Sequence, residues 1–566
     1  MTSSLASIAA YALFLLAVVL LVLPVGKYLS RVFTGERTWL SLVLRPVERF
    51  LYRFAGVDPE QEQSWKNYSI AFLAFSLAGT LALYALLRLQ HLLPFYDGKN
   101  LTTPMTSDLA INTAISFQTT STWQAYSGET TVSYISQMAL IASNFMAGAA
   151  GLALGIAFIR GLARDRSNTI GNFWVDMTRA ILYVLMPLSI VGAVVLIALG
   201  VPLNMNSYTE VTTLEGARQL IAQGPVAAME IIKNLGTNGG GFFNVNAAHP
   251  FETPNNAANL LNLLAIAVLP AALTRTFGIV TGRLRDGWVL LGAMVVLFAV
   301  GLGICDRAER AGNPLMASAH LSGGNMEGKE TRFGVGGSVL AAVTTSNGAT
   351  GSTNSAHDSY MPVGVLVPLS NMLMGEMIFG GLGTGIYSIV IVAVLGLFIC
   401  GLMVGRTPDY LGKSITKYEI QMVVFYTLAC PFLVLCLTAL AVTTSQGVAG
   451  LTTNDGPHGF TEIIFAYTSA FANNGQAMAG LSANSPFFNI TTAIAMMGGR
   501  FMLAVPALAL AGAFARQGRR PITMGTLPTD GVMFGVIIIG TVLLLTLLSF
   551  FPALALGPLV EHFRLH

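Results

Sequence analysis

Unbroken apolar runs of about twenty positions recur along the chain: "YALFLLAVVLLVLPVG", "YVLMPLSIVGAVVLIALG", "MVVFYTLACPFLVLCLTALAV" and "GVMFGVIIIGTVLLLTLLSFF". About 20 such residues cross a bilayer's hydrocarbon core as a helix. Ten segments of this kind are predicted, near 8–28, 66–90, 131–159, 175–200, 255–280, 287–305, 361–405, 421–443, 487–514 and 529–553. The pattern predicts an all-α polytopic membrane protein. Composition agrees: 54% of the 566 residues are hydrophobic and 10% charged, against about 25% charged in soluble proteins. The first run exceeds a signal-peptide core and lacks a clear small-residue cleavage motif, so it reads as a retained span. Cys305, Cys400, Cys430 and Cys436 have no ligand or redox spacing, and the seven histidines are scattered.

The connections fall into two sets. One carries Arg31, Arg37, Arg45, Arg49 and Arg53; Arg160, Arg164 and Arg166; Arg275, Arg283 and Arg285; Arg406, Lys413 and Lys417; and Arg516, Arg519 and Arg520. The other is longer and poor in positive charge, with no lysine or arginine in 444–486. The positive-inside rule assigns the basic set to the cytoplasm and hence both termini to the outside. Topology and membrane-lipid headgroups account for the basic clusters, and nucleic-acid binding is not expected.

Four outward connections hold polar insertions rich in Thr, Ser, Asn and Gly: "SDLAINTAISFQTTSTWQ", "AAMEIIKNLGTNGGGFFN", "VGGSVLAAVTTSNGATGSTNS" and "FTEIIFAYTSAFANNGQAMAG". Sliding them together matches Gln118, Gly239, Gly348 and Gly475, which predicts a four-fold repeat of span, polar insertion, span. The repeat divides the chain into 1–65 (first helix and cytoplasmic interfacial segment), pore repeats at 66–160, 174–282, 286–405 and 418–514, and 528–566 (last helix and outer tail). Non-helical backbone at membrane depth survives only when buried in protein or lining a water-filled cavity. Four such segments converging on one axis can line it with carbonyl oxygens that replace an ion's hydration shell, a cation filter. The insertions carry no carboxylate ring, which favours a monovalent cation over calcium. Gln118 in place of a glycine must pack behind the filter or reach its mouth. Read alone, "GTNGGG" is also compatible with a linker. Gly412-Lys413-Ser414 lacks the upstream frame of a phosphate loop.

The stretches "NTAISFQTTSTWQ", "NLGTNGGGFFNVNAAHPFETP", "TTSNGATGSTNSAHDS", "GRTPDYLGKSITKYE" and "FANNGQA" together resemble the potassium-binding subunits of bacterial Kdp-type potassium-transporting ATPases, nearly end to end. The resemblance implies a chain in the bacterial inner membrane that selects extracellular K+. It implies as partners a P-type ATPase catalytic subunit that hydrolyses ATP and small accessory membrane subunits. It further implies that the ion passes sideways through an intramembrane tunnel toward the ATPase subunit. Carried over, the filter falls on Thr113, Ala114, Ile115, Ser116, Phe117 and Gln118; on Gly236, Thr237, Asn238 and Gly239; on Thr345, Ser346, Asn347 and Gly348; and on Asn473, Asn474 and Gly475. Asn347 stands where the family commonly has cysteine. No Asp-Lys-Thr-Gly stretch is present, so phosphorylation and nucleotide binding are expected to lie in the partner.

Segment 361–405 is too long for one simple span, and glycine lowers helix stability. Its middle, "GEMIFGGLGTGIYS", predicts two half-helices joined at a break that carries Glu376, Gly380, Gly381 and Gly383. The break reads as a gate below the filter, or as a kink for close packing; Glu376 beside it can steer a cation. Arg500 lies well inside a span, where a charge usually faces the bundle interior or a cavity. It reads as a barrier to straight-through exit, or as half of an ion pair with Glu376. "GRTPDYLGKSITKYE" reads as a docking site for the ATPase subunit or a cap for the next span. Residues 32–65 read as an interfacial amphipathic segment, and 204–225 as an outer loop that can meet an accessory subunit. A stand-alone potassium channel or ion-coupled symporter is the competing function.

Overall fold

The computed structural model describes residues 2–94, 100–318, 324–405, 408–521 and 527–565; Arg406, of the basic set and the proposed docking motif, lies outside the described residues. Ten helices are long and apolar enough to cross a membrane: Leu5–Thr34, Trp65–Arg88, Tyr134–Ala163, Phe173–Ala198, Asn256–Thr281, Leu284–Met316, Thr384–Val404, Lys417–Thr443, Pro486–Arg516 and Val532–Leu565. Two short β-hairpins are the only paired strands among the described residues.

Burial sorts the spans into two rings. The helix that follows each polar insertion is the more enclosed: 61% to 83% of the most apolar window is buried in Tyr134–Ala163, Asn256–Thr281, Thr384–Val404 and Pro486–Arg516. The helix that precedes each insertion is 22% to 44% buried, and the first and last spans 22% and 28%. The chain thus builds an inner ring of four helices and an outer ring of four, with two peripheral spans.

Four shorter helices occupy the insertions: Ser107–Gln118, Val226–Leu235, Gly334–Asn347 and Gly456–Phe471. At 16 residues or fewer, and 1.5 Å per residue, none can cross a 30 Å core. Each begins on the face that also holds both termini, as ten crossings require. His458, in the first turn of the fourth short helix, meets Glu561 of the C-terminal segment at 2.8 Å. Local signals set the ends: Thr106 Oγ1 accepts from Leu109 N, and Asn255 Oδ1 accepts from Ala258 N, each satisfying an amide without an intrahelical partner.

On the opposite face the hairpin Asp409–Tyr410/Lys413–Ser414 is inserted under the inner ring. The Lys413 ammonium donates to Phe514 O at 2.8 Å, to Gly161 O at 3.4 Å and to Arg164 O. It thereby caps the C-terminal ends of inner helices from the first and fourth repeats; burial, then Arg519, pushes its pKa down to about 8. Thr416 and Glu419 form a capping box on Lys417–Thr443. Tyr410 is buried, whereas Tyr418 is exposed, so this half of the motif caps and staples helices. The segment Ser41–Ala55 is amphipathic, with Leu42, Val43, Phe50 and Phe54 exposed. It is anchored through Glu48, which accepts from Tyr52, Tyr183 and Arg179 at 2.8 to 3.0 Å. The 204–225 loop folds as an exposed hairpin, Thr209–Thr212 with Arg218–Ile221.

Candidate functional site

The C-terminal ends of the four short helices converge, and the segment leaving each one kinks into the left-handed region. The positions are Thr120, Thr237, Ala349 and Asn473, with φ of 67°, 50°, 50° and 54°. Each segment is tied back to its own helix five or six residues earlier: Thr122 N to Ser116 O, Asn238 N to Lys233 O, Thr350 N to Thr345 O, Asn474 N to Ser469 O, at 2.8 to 3.1 Å. These bonds define the structural register of the repeat.

Neighbouring segments touch in a closed cycle. The first meets the second where Gln124 exchanges two hydrogen bonds with the Gly241 backbone, 2.9 and 3.0 Å. The second meets the third in a parallel bridge, Gly239 to Gly351. The third meets the fourth through Asn474 Nδ2, which donates to Thr345 O at 3.0 Å. The fourth returns to the first through Asn473 Nδ2, which donates to Ser121 Oγ at 2.8 Å. The approach is so close that a Cβ on Gly239 would stand 2.1 Å from Gly351 N, and one on Gly475 2.0 Å from Ser121 O. Both glycines are left-handed, φ 89° and 82°, so side chains are excluded twice over.

This register corrects the predicted one in two repeats. Gly239 and Gly475 do correspond, but their counterparts are Thr122 and Gly351, not Gln118 and Gly348. Thr113, Ala114, Ile115, Ser116, Phe117 and Gln118 form the last turns of the first short helix, so they do not supply an extended strand. Thr345, Ser346 and Asn347 likewise end the third helix, and Gly348 is its C-cap with φ −80°. A glycine that stops a helix and a glycine that admits a neighbouring backbone look alike in sequence; the four left-handed kinks separate them. Gln118 packs behind the ring, its Oε1 accepting from Ser143 Oγ at 3.4 Å. Thr120, Ser121, Thr122 and Gly351 belong to the kinked segments instead, and counting forward from each helix end in "TTSTW" and "NGATGS" reaches them.

Above the ring lies a cavity of about 780 Å³ open to the terminal face, lined by Thr122, Trp123, Gln124 and Gly475 among others. Below it lies one of about 110 Å³, lined by Asn473, Gly499, Thr384 and Glu376. Between half-helix Pro362–Leu373 and Thr384–Val404 the chain breaks as predicted, with Gly375, Glu376, Phe379 and Gly383 left-handed. The break is pressed up against the ring: Leu382 N donates to Thr237 Oγ1 at 2.7 Å. A Cβ on Gly380 would meet Asn347 O at 3.0 Å, one on Gly381 would meet Ala349 Cβ at 3.3 Å, and one on Gly383 would meet Gly151 O at 1.9 Å. Arg500 sits on a π-helical turn, Gly498–Met502, a device frequent at functional sites. Its guanidinium donates to Thr120 Oγ1 at 3.3 Å and Ala147 O at 3.2 Å and stacks on Phe72. No carboxylate lies within 4 Å of it among the described residues, so the ion pair with Glu376, one of the two readings, is not made. Neutral oxygens spread along two elements hold the cation instead.

On the mouth side, His357 and His458 differ in charge. Burial pushes the His357 pKa down to about 3, and the neutral ring accepts from Gln476 Nε2 at 2.7 Å. For His458 burial pulls downward, but hydrogen bonds and charges of Asp358 and Glu561 outweigh it and push the pKa up to about 10. The imidazolium clamps the third pore segment, the fourth short helix and the C-terminal segment together. A folded-state pKa above the unfolded value of about 6.5 stabilises fully below pH 6.5 and ceases to do so as pH rises through 10. The thermal-midpoint difference between the wild type and His458→Gln is therefore expected to be largest below pH 6.5 and to vanish by about pH 10. A difference independent of pH would mean that the clamp carries no charge.

The architecture defines a membrane protein of four helix–pore-loop–helix repeats around an axial ring. The same fold is seen in the crystal structure of the potassium transporter TrkH from Vibrio parahaemolyticus, with a TM-score of 0.51 at 14% identity, covering 87% of this chain and 96% of that one. The family model described as Potassium-transporting ATPase A subunit matches residues 12–563, and the chain belongs to that family. Curated relatives called potassium-transporting ATPase potassium-binding subunit include one from Methylorubrum extorquens, 51% identical over 98% of this chain and 96% of the relative. Another, from Solibacter usitatus, is 50% identical over 96% and 95%.

Proposed function

We propose that this chain is the potassium-binding and translocating subunit of an ATP-driven potassium uptake complex in the bacterial inner membrane. The observation that carries the proposal is the closed ring of four left-handed segments between a wide outer cavity and a narrow inner one. In this reading, backbone carbonyls from the segments 119–122, 236–239, 348–351 and 472–475 take the place of water around a dehydrated K+. The ring contains no carboxylate, which suits a monovalent ion. The basic clusters support an orientation with the Lys413 face in the cytoplasm and both termini outside.

Below the ring, the break at 374–383 acts as the gate. Its left-handed kinks and the hydrogen bond from Leu382 to Thr237 support a constriction directly under the ring. Arg500 opposes straight-through exit by charge. The ion therefore leaves sideways past Glu376, through the small cavity that reaches the last span, toward a P-type ATPase catalytic subunit that binds the nucleotide. Small accessory membrane subunits complete the complex, with the 209–221 hairpin as an outer contact. The amphipathic helix Ser41–Ala55 rests on membrane lipids. Anomalous scattering from Rb+ in crystals of the assembled complex tests the reading. Density on the axis between Thr122, Gly239, Gly351 and Gly475 is expected, and ordered Rb+ elsewhere with an empty ring would reject it.

A further inference from the structure

The structural register lines up four positions two residues before the helix ends: Ser116, Lys233, Thr345 and Ser469. In three of the repeats this side chain reaches the backbone seven residues on, in the segment that leaves the ring. Ser116 Oγ donates to Trp123 O at 2.9 Å. Lys233 Nζ donates to Gly240 O at 2.7 Å. Thr345 Oγ1 accepts from Ser352 N at 3.0 Å. In the fourth, Ser469 Oγ makes no hydrogen bond among the described residues, and the residue seven on, Gln476, is held from outside by His357.

The second repeat is distinct because its brace is charged and wholly buried. Lys233 lies between Glu230 and Glu252, each at 2.6 Å, and all three side chains are 1% exposed or less. Glu252 in turn accepts from Phe243 N at 3.0 Å, and Glu230 accepts from Asn234 and Asn262 at 3.1 and 2.8 Å. Buried ion groups seldom add net stability over an apolar replacement, but loss of one partner leaves an uncompensated buried charge, which holds the surviving groups to their positions. Here the fixed geometry is that of the Gly240 carbonyl, in a backbone that is left-handed at both Gly239 and Gly240, with φ of 89° and 70°. An ammonium at 2.7 Å holds the Gly240 carbonyl, and with it the peptide plane between Gly240 and Gly241, one residue beyond the ring position Gly239.

We propose that position 233, with its counterparts Ser116 and Thr345, is a set of positioning residues for ion selectivity, and that Lys233 with Glu252 is its dominant member. The proposal rests on the reading of the ring as a K+ filter. It places part of the selectivity behind the ring, in one charged quarter of a pseudo-symmetric structure.

The test uses the assembled transport complex, with K+- and Rb+-stimulated ATPase as readouts. The double variant Lys233→Met/Glu252→Gln removes the cation with one carboxylate and leaves the net charge of the cluster unchanged. It is expected to raise the apparent KM for K+ at least tenfold and to shrink the K+/Rb+ preference at least threefold, with kcat within about twofold. Ser116→Ala removes one hydroxyl and keeps the fold even if the double variant does not assemble; it is expected to raise the KM about threefold, again with reduced ion preference. A uniform loss of kcat at unchanged KM and ion preference, or no change in either variant, would overturn the proposal. A wild-type complex without K+ stimulation would instead overturn the filter reading, which keeps the two failures distinguishable.

Discussion

Replacing Gly239 with alanine is expected to lower the K+ affinity of the complex at least a hundredfold while the subunit remains in the membrane and assembled. The added Cβ would stand 2.1 Å from Gly351 N and 2.6 Å from Gly351 Cα, backbone atoms that cannot rotate away. Overpacking of this kind costs about 1–3 kcal/mol, and a left-handed alanine about 1–2 kcal/mol more. Together these come to about 3 kcal/mol, or about a hundredfold in binding. Gly282 is the control: its φ is 75°, equally left-handed, yet nothing lies within 4 Å of a Cβ there. Gly282→Ala carries the backbone strain alone, at a helix end far from the ring, and is expected to leave K+ affinity unchanged. Isothermal titration of K+ into both variants makes the comparison. Equal affinities would remove Gly239 from the ion path.

Arg500→Gln is expected to make the protein leak. Glutamine can still donate to the Thr120 hydroxyl or the Ala147 carbonyl but carries no charge. For two unit charges about 6 Å apart at an effective dielectric near 20, the repulsion removed is about 3 kcal/mol, about a hundredfold in passage rate. The check is downhill Rb+ flux from vesicles that hold the complex without ATP. A rise of at least tenfold over wild type is expected, whereas vesicles as tight as wild type would show that Arg500 is no barrier. The neutral partners of the guanidinium make the prediction sharp, because no carboxylate within 4 Å is left unpaired by the change.

The spans were legible in the sequence because a bilayer imposes one rule, about twenty apolar residues, that needs no tertiary information. The broken helix was legible for a related reason: 45 residues do not fit one crossing, and clustered glycines mark where it fails. The ring was only half legible. "GTNGG" and "NNGQ" put Gly239 and Gly475 in register because in both a glycine sits six residues after the helix position that anchors it. In the first repeat no glycine occupies the ring at all: Thr120 and Thr122 take left-handed φ angles of 67° and 47°, against their own preference. In the third, Gly348 ends the helix and Gly351 makes the contact. Matching glycine to glycine therefore misplaced both. The brace from Lys233 to Gly240 was not legible, since its partners lie on opposite sides of a helix end whose position the sequence leaves loose by several residues. The neutral pocket of Arg500 was equally hidden, because Ala147 lies 353 residues away.

The central claim is that this chain selects K+ while the energy for uptake comes from a partner that hydrolyses ATP. Potassium uptake into vesicles, measured with the purified chain alone and with the complete complex, tests it most directly. Uptake is expected only with the complex and only with ATP; robust uptake by the isolated chain would contradict this division of labour.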